Sequence, residues 1–329
     1  MAERAGRIVA VGEVVADIYR DEVKAEDGRD RAAESGGMGF TARPGGAPAN
    51  VAVAVARLGG RSAFVGSVGD DLFGEFILGA LRAEGVDVSP VVMQKPPVRT
   101  SLAFVEIFPD GDREFTFYRS SPAADEQLAP EDIKPETLEG ASFVNFGSIP
   151  LISDPSRSAV ERVVSLANDA NVAVAFDVNY RAHLWPSPDA ARKTVETFMD
   201  RAQVVKLSED ETEPLLGVSE PESAADRLLE RGARLVLVSL GPDGAFYATG
   251  TARGRIDAPT VEAVDATGAG DAFLAATLQS LGSIEAADDE ARLREAVRRG
   301  TVAGAIACTG QGAIGPLPTA AEIDRFTRW

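Results

Sequence analysis

The residues best suited to chemistry stand together in Asp265-Ala266-Thr267-Gly268-Ala269-Gly270-Asp271, which runs into Ala272, Phe273 and the apolar stretch Leu274–Leu281. Glycines in that position open a helix. They let backbone N–H groups approach a phosphate closely, and the helix N-terminus adds partial positive charge, so Gly268-Ala269-Gly270 reads as an anion hole. An aspartate directly after those donors repels an anion that is merely bound. As a base that takes a proton from a substrate hydroxyl, Asp271 makes sense. A bare Gly-x-Gly-Asp reads equally well as an aspartate cap on a glycine turn, and the longer segment is the more specific signal. A second group lies near the N-terminus: Asp17, then Pro44-Gly45-Gly46 leading to Asn50. Taken alone, Asn50 reads as a helix cap and Asp17 as an exposed loop acid.

The elements that must position these groups alternate in type. Arg7–Glu13 is a β-branched run ended by glycine and acid, the pattern of a buried first strand whose C-terminal end points toward Asp17. Pro48–Leu58, rich in alanine and valine, predicts a helix buried against a sheet and stopped by Gly59-Gly60. Ser62–Ser67 follows as a strand and Phe73–Glu84 as a helix. Ser101–Phe108 and Arg113–Arg119 then form a hairpin through Pro109-Asp110-Gly111-Asp112. Strands at Ser142–Phe146, Val172–Asp177, Val204–Leu207 and Leu235–Leu240, separated by helical segments, predict an α/β fold with a parallel, doubly wound sheet. Ligands bind such sheets at the C-terminal strand ends, where Asp177, Ser208 and Gly241 fall. Helices near 267–281 and 291–307 close the chain, and the charged stretch 20–37 reads as an exposed excursion.

Composition narrows the function classes. With 33 Lys+Arg against 51 Asp+Glu the net charge is −18, which repels nucleic acid and anionic membranes. An anionic substrate must then be held by local dipoles, a metal ion and a few basic side chains. The single cysteine, Cys308, makes no internal disulfide and reads as core packing, and with no export signal visible the expected compartment is the cytoplasm. Residues 301–321 lack charge, but their glycines and prolines make them a buried helix end, not a membrane span. Gly310-Gln311-Gly312-Ala313-Ile314-Gly315 satisfies Gly-x-Gly-x-x-Gly yet follows a helix and runs into prolines, so it fails the dinucleotide context.

Together these segments resemble the ribokinase-like PfkB carbohydrate kinase family, whose signatures are Asp-Thr-Thr-Gly-Ala-Gly-Asp and an earlier Gly-Gly-x-x-x-Asn. Here they stand as Asp265–Asp271 and Gly45–Asn50, and the resemblance covers essentially the whole chain in the expected order. It implies a three-layer α/β/α sandwich with a mainly parallel central sheet. One kinase domain spans 1–329, with a small β lid drawn from about 14–43 and 91–120. It implies an enzyme that moves the γ-phosphoryl group of ATP to a sugar hydroxymethyl. Asp271 is then the base, Gly268, Ala269 and Gly270 the anion hole, and Asp17, Gly45, Gly46 and Asn50 the grip on sugar hydroxyls. Lys206, Ser208, Gly241, Gly244 and Gly268 fall on the nucleotide side. Glu211 sits where the family has its Asn-x-x-Glu, acting on Mg2+ through water, but Ser208 replaces the asparagine, which puts the role of Ser208 in doubt. Asp265, Thr267, Ala307, Gly310 and Gly312 correspond to a monovalent cation site, K+ in kind. Leu240–Gly244 also has the form of an ordinary hairpin turn.

Three segments are similar to fructokinases in particular: Gly45–Val51, Arg113–Arg119 with Ala124-Asp125, and Asp177–Ser187. They imply fructose as substrate and fructose 6-phosphate as product, with Arg119 and Arg181 reaching the sugar. Kinases for 2-keto-3-deoxygluconate share the Tyr-Arg and Asp-x-Asn-x-Arg features, where arginines suit a carboxylate. A nucleoside kinase, and a sugar- or nucleotide-binding protein without turnover, are the other readings. His183, the only histidine, reads as a loop residue. The exposed lid edge points to a homodimer.

Overall fold

A computed structural model describes residues 6–20, 38–107, 113–119 and 122–326. Most of the charged stretch 20–37, and the turn through Asp110, lie outside the described residues. In chain order the strands are β1 (Arg7–Val11), β2 (Val15–Arg20), β3 (Phe40–Gly45), β4 (Ser62–Val65), β5 (Ser67–Gly69), β6 (Val92–Gln94), β7 (Leu102–Ile107), β8 (Arg113–Tyr118), β9 (Ala141–Phe146), β10 (Ala173–Asp177), β11 (Val204–Ser208), β12 (Leu235–Ser239), β13 (Ala245–Ala248) and β14 (Arg253–Ile256).

An eight-stranded sheet in the order β14-β13-β12-β11-β10-β9-β1-β4 forms the centre. From β4 to β12 every neighbouring pair is parallel, while β13 and β14 continue it antiparallel. Successive side chains of a strand point to opposite faces, and the apolar runs supply both. Ile8 and Ala10 join Phe143, Leu235 and Leu237 in one core, Val9 and Val11 join Val144, Phe176 and Val236 in the other. Helices Ala47–Arg57, Ala269–Leu281 and Glu290–Ala307 cover the first face; Ser156–Ala170, Pro188–Met199 and Pro221–Glu230 cover the second. Each fully buried leucine or phenylalanine contributes about 1.5–3 kcal/mol, so both faces hold the sheet. The result is a three-layer α/β/α sandwich.

Outside it lies a four-stranded sheet, β3-β2-β7-β8. β2 pairs antiparallel with β3 and parallel with β7, and β7 pairs antiparallel with β8. Val92–Gln94, within the stretch expected to feed this sheet, instead pairs with β5. Among the described residues no helix is long and apolar enough to cross a membrane.

Candidate active site

Parallel strands deliver their C-terminal ends to one rim of the sheet, and two clefts open there. The first, about 450 Å³, is lined by Glu13, Asp17, Gly46, Asn50, Phe117, Arg119, Arg181, His183, Lys206, Glu211, Gly268 and Asp271, among others. The second, about 730 Å³, is lined by Gly241, Gly244, Pro259, Val261, Phe273, Gly304 and Cys308 with their neighbours. Ser208, Ser239, Ala266 and Gly270 line both. The two spaces therefore meet at the glycine turn.

Helix Ala269–Leu281 begins at Gly268, which caps it with φ 81°. A side chain there would sit 2.7 Å from the Ala313 carbonyl oxygen, so both backbone angle and space demand glycine. Asp271 lies in the first turn, not at the cap, and is buried. Asn50 Nδ2 donates to Asp271 Oδ2 at 2.8 Å. Asn50 is itself inside the helix that Gly46 caps, so its side chain is committed to the site and not to the helix end. Burial raises the Asp271 pKa above the ordinary carboxylate range, against the opposing pull of Asn50, Lys206 and Arg181. A carboxylate so placed is a stronger base than one in water.

Lys206 Nζ donates to both oxygens of Asp177, at 3.0 and 3.1 Å, and both side chains are buried. Burial disfavours the ammonium, but Asp177, Glu211 and Asp271 outweigh it and raise its pKa, so it stays charged. A Cβ on Gly270 would lie 2.7 Å from Nζ. The ammonium thus faces Gly270 from the first cleft, whereas the sequence placed Lys206 on the nucleotide side. Glu211 accepts from Ser208 N at 2.8 Å and also from Tyr180 N, which ties helix Glu209–Leu216 to the loop after β10. Its burial raises its pKa, with Lys206 opposing. Each oxygen accepts one of these bonds and keeps a second lone pair.

Asp17 is buried on β2, not exposed in a loop. Its Oδ2 would lie 2.1 Å from a Cβ on Gly45, so only a bare backbone admits it. Burial, reinforced by Asp265, lifts its pKa to about 7. Arg119 pairs with Asp125 at 2.7 Å and with Glu126 at 3.4 Å and packs over the Phe117 ring. Arg181 is exposed at the cleft, donating to its neighbour's Tyr180 carbonyl oxygen at 3.2 Å.

Asp265 Oδ1 accepts from Thr267 N at 2.7 Å and Oδ2 from Gly312 N at 2.8 Å, clamping the signature segment to the loop after helix Glu290–Ala307. Ala307 ends that helix and Gly310 lies in the loop. Gly241–Asp243 is the turn of the β12–β13 hairpin, as the hairpin reading of that segment expects, and Gly241, Pro242 and Gly244 line the second cleft. Cys308 lines the same cleft half-buried, where core packing was expected.

Sequence reasoning left out Glu13, Phe117, Asn179 and His183, all of which line the first cleft. His183 stacks on Phe117 with centroids 6.1 Å apart. Glu13 had a signal, a lone acid directly after a buried strand. The ring stacking had none, because its partners come from different elements.

A buried aspartate in the first turn of a glycine-opened helix, where a more polar cleft meets a more apolar one, is an arrangement suited to phosphoryl transfer to a hydroxyl. The chain belongs to the pfkB family of carbohydrate kinases, whose sequence profile matches residues 5–320. It is 41% identical over 325 residues to the probable fructokinase-2 of Arabidopsis thaliana, covering 98% of this chain and 96% of that one. Among solved structures, a double mutant of the fructokinase from Vibrio cholerae O395, in its fructose-, ADP- and potassium-bound form, is 32% identical with TM-score 0.85, covering 99% of each chain. The aminoimidazole riboside kinase of Salmonella enterica, complexed with aminoimidazole riboside and an ATP analogue, is 30% identical with TM-score 0.83, covering 98% of this chain and 100% of that one.

Proposed function

We propose that this kinase is an ATP-dependent fructokinase that converts fructose to fructose 6-phosphate. The observation that carries the mechanism is the buried Asp271, held by Asn50 in the first helical turn after Gly268-Ala269-Gly270, where the two clefts meet. The sugar occupies the first cleft, where Asp17 and Asp271 accept from its hydroxyls, and ATP the second. Asp271 Oδ1 takes the hydroxymethyl proton as the oxygen bonds to the γ-phosphorus. The bond from that phosphorus to the β–γ bridging oxygen breaks, and ADP leaves. Charge on the moving phosphoryl group is met by the turn's N–H groups and by Lys206, which Asp177 holds in place. Mg2+ would neutralise the phosphates when bound, with Glu211 holding its water. Asp265, Thr267, Ala307, Gly310 and Gly312 would frame a K+ site.

Fructose is supported by the plant relative and by the fructose-bound Vibrio structure. The same reading takes 1–329 as one domain with β3-β2-β7-β8 as lid, working in the cytoplasm as a homodimer paired through that lid; sedimentation showing only monomer overturns the pairing. Arg181, which unlike Arg119 has no acid partner among the described residues, favours 2-keto-3-deoxygluconate as the second candidate. The test is an ADP-release assay with ATP and Mg2+ over fructose, 2-keto-3-deoxygluconate, ribose, glucose and adenosine. A kcat/KM for fructose at least about tenfold above the others is expected. Preference for the sugar acid reassigns Arg181 to a carboxylate, and no turnover with any of them revives the reading as a sugar- or nucleotide-binding protein without turnover.

A further inference from the structure

The lid strand β3 carries an arginine that no step above uses. Arg43 is the register partner of Asp17 across the β2–β3 pairing, and its guanidinium lies 5.3 Å over the Tyr19 ring. Its Nη1 leaves the small sheet altogether and donates to the Gln311 carbonyl oxygen at 2.8 Å. Among the described residues no carboxylate pairs with Arg43, so this contact is where its charge is directed.

The loop it reaches is also part of the anion hole's support. Gly312 N donates to Asp265 Oδ2 at 2.8 Å, and Asp265 holds Thr267 N at 2.7 Å, one residue before Gly268. The Ala313 carbonyl oxygen is the atom that leaves no room for a side chain on Gly268, and Ala313 lines the first cleft. The far end of the loop is fixed independently: Arg57 Nη1 donates to Ile314 O at 2.8 Å and Leu317 O at 2.9 Å, while Glu84 holds Arg57 at 2.7 Å. One end of the loop is therefore anchored to the central body and the other is held by the lid.

We propose that Arg43 is a positioning residue that couples sugar occupancy of the lid to the geometry of the anion hole. The inference rests on the sugar-kinase reading. Sugar gripped by Asp17 steadies β2 and, through the strand pairing, β3. Arg43 then holds Gln311, and with it Gly312 and Ala313, in the place that shapes the Asp265–Gly268 turn for phosphate. By linkage, nucleotide bound at the turn must tighten sugar binding by the same factor.

The experiment is calorimetric titration of the full chain with the sugar that the turnover panel ranks first, with and without the ATP analogue AMP-PNP and Mg2+. For the wild type the analogue is expected to tighten sugar binding roughly fivefold or more. In Arg43→Met, which keeps the stem over Tyr19 and removes the donor, that factor falls toward one while sugar alone still binds. Arg43→Lys, which can still donate to Gln311 O, recovers part of it. Equal coupling in the wild type and Arg43→Met, or no coupling in the wild type, overturns the proposal. A chain that turns over no sugar fails earlier, at the panel, so the two failures are distinct.

Discussion

Glu13→Gln should stabilise this protein, and more so as pH rises. Glu13 follows β1 and lines the first cleft, only 4% exposed, and its Oε2 is buried without a hydrogen-bond partner. Burial raises its pKa from 4.5 to about 8; its own backbone N–H and Arg119 oppose the rise, while Asp125 and Asp271 add to it. The folded state therefore holds this proton more tightly than the unfolded chain does. Stability from the protonated acid is complete below about 4.5, is lost as pH climbs, and levels off above about 8. At about 1.4 kcal/mol per pH unit across that window, the loss amounts to roughly 5 kcal/mol.

Glutamine keeps the shape and never ionises. Its advantage over the wild type should grow from about 1 kcal/mol at pH 5 to roughly 5 kcal/mol at pH 9. At about 2 °C per kcal/mol for a chain this long, the gap in Tm should widen by roughly 8 °C. Asp17, raised to about 7 by burial and Asp265, loses its own share between 3.8 and about 7 in both proteins and cancels in the difference. Denaturant melts of the two proteins at pH 5, 7 and 9 make the measurement. Parallel pH profiles would refute the claim that Glu13 is desolvated in the fold.

Asp271→Asn should lower kcat by about 10²–10⁴-fold while moving the sugar Kd by less than roughly threefold, because an amide oxygen still accepts from Asn50. Turnover by the coupled assay and Kd by calorimetry check it, and an undiminished kcat sinks the base assignment. Gly268 and Gly270 should fail differently. Gly270→Ala places Cβ 2.7 Å from Lys206 Nζ, a side-chain tip held by Asp177, so kcat should fall about 10²-fold with a smaller loss of stability than the next variant. Gly268→Ala meets the Ala313 backbone at 2.7 Å with φ at +81°, so unfolding free energy should drop by about 1–3 kcal/mol as well. Melts and kinetics on both variants separate the cases.

What the sequence made legible follows from range. The parallel strands were readable because a strand buried on both faces needs an unbroken apolar run, as in Leu235–Val238, which the residues themselves show. The glycine turn was readable because a positive φ and a close approach leave a local mark. Asp17 and Asn50 taken alone pointed to a loop acid and a helix cap, and only the paired signatures moved them into the site. Charge pairing was not readable at all. Arg119 was legible as a cleft residue but not as the partner of Asp125 and Glu126, and Asp177 was legible as a strand end but not as the partner of Lys206. Which of two nearby acids claims an arginine, and which acid keeps its proton, depends on a few ångströms of packing between separate elements. That is why the acids around this cleft, and not its glycines, are where substitutions and pH profiles have most to reveal.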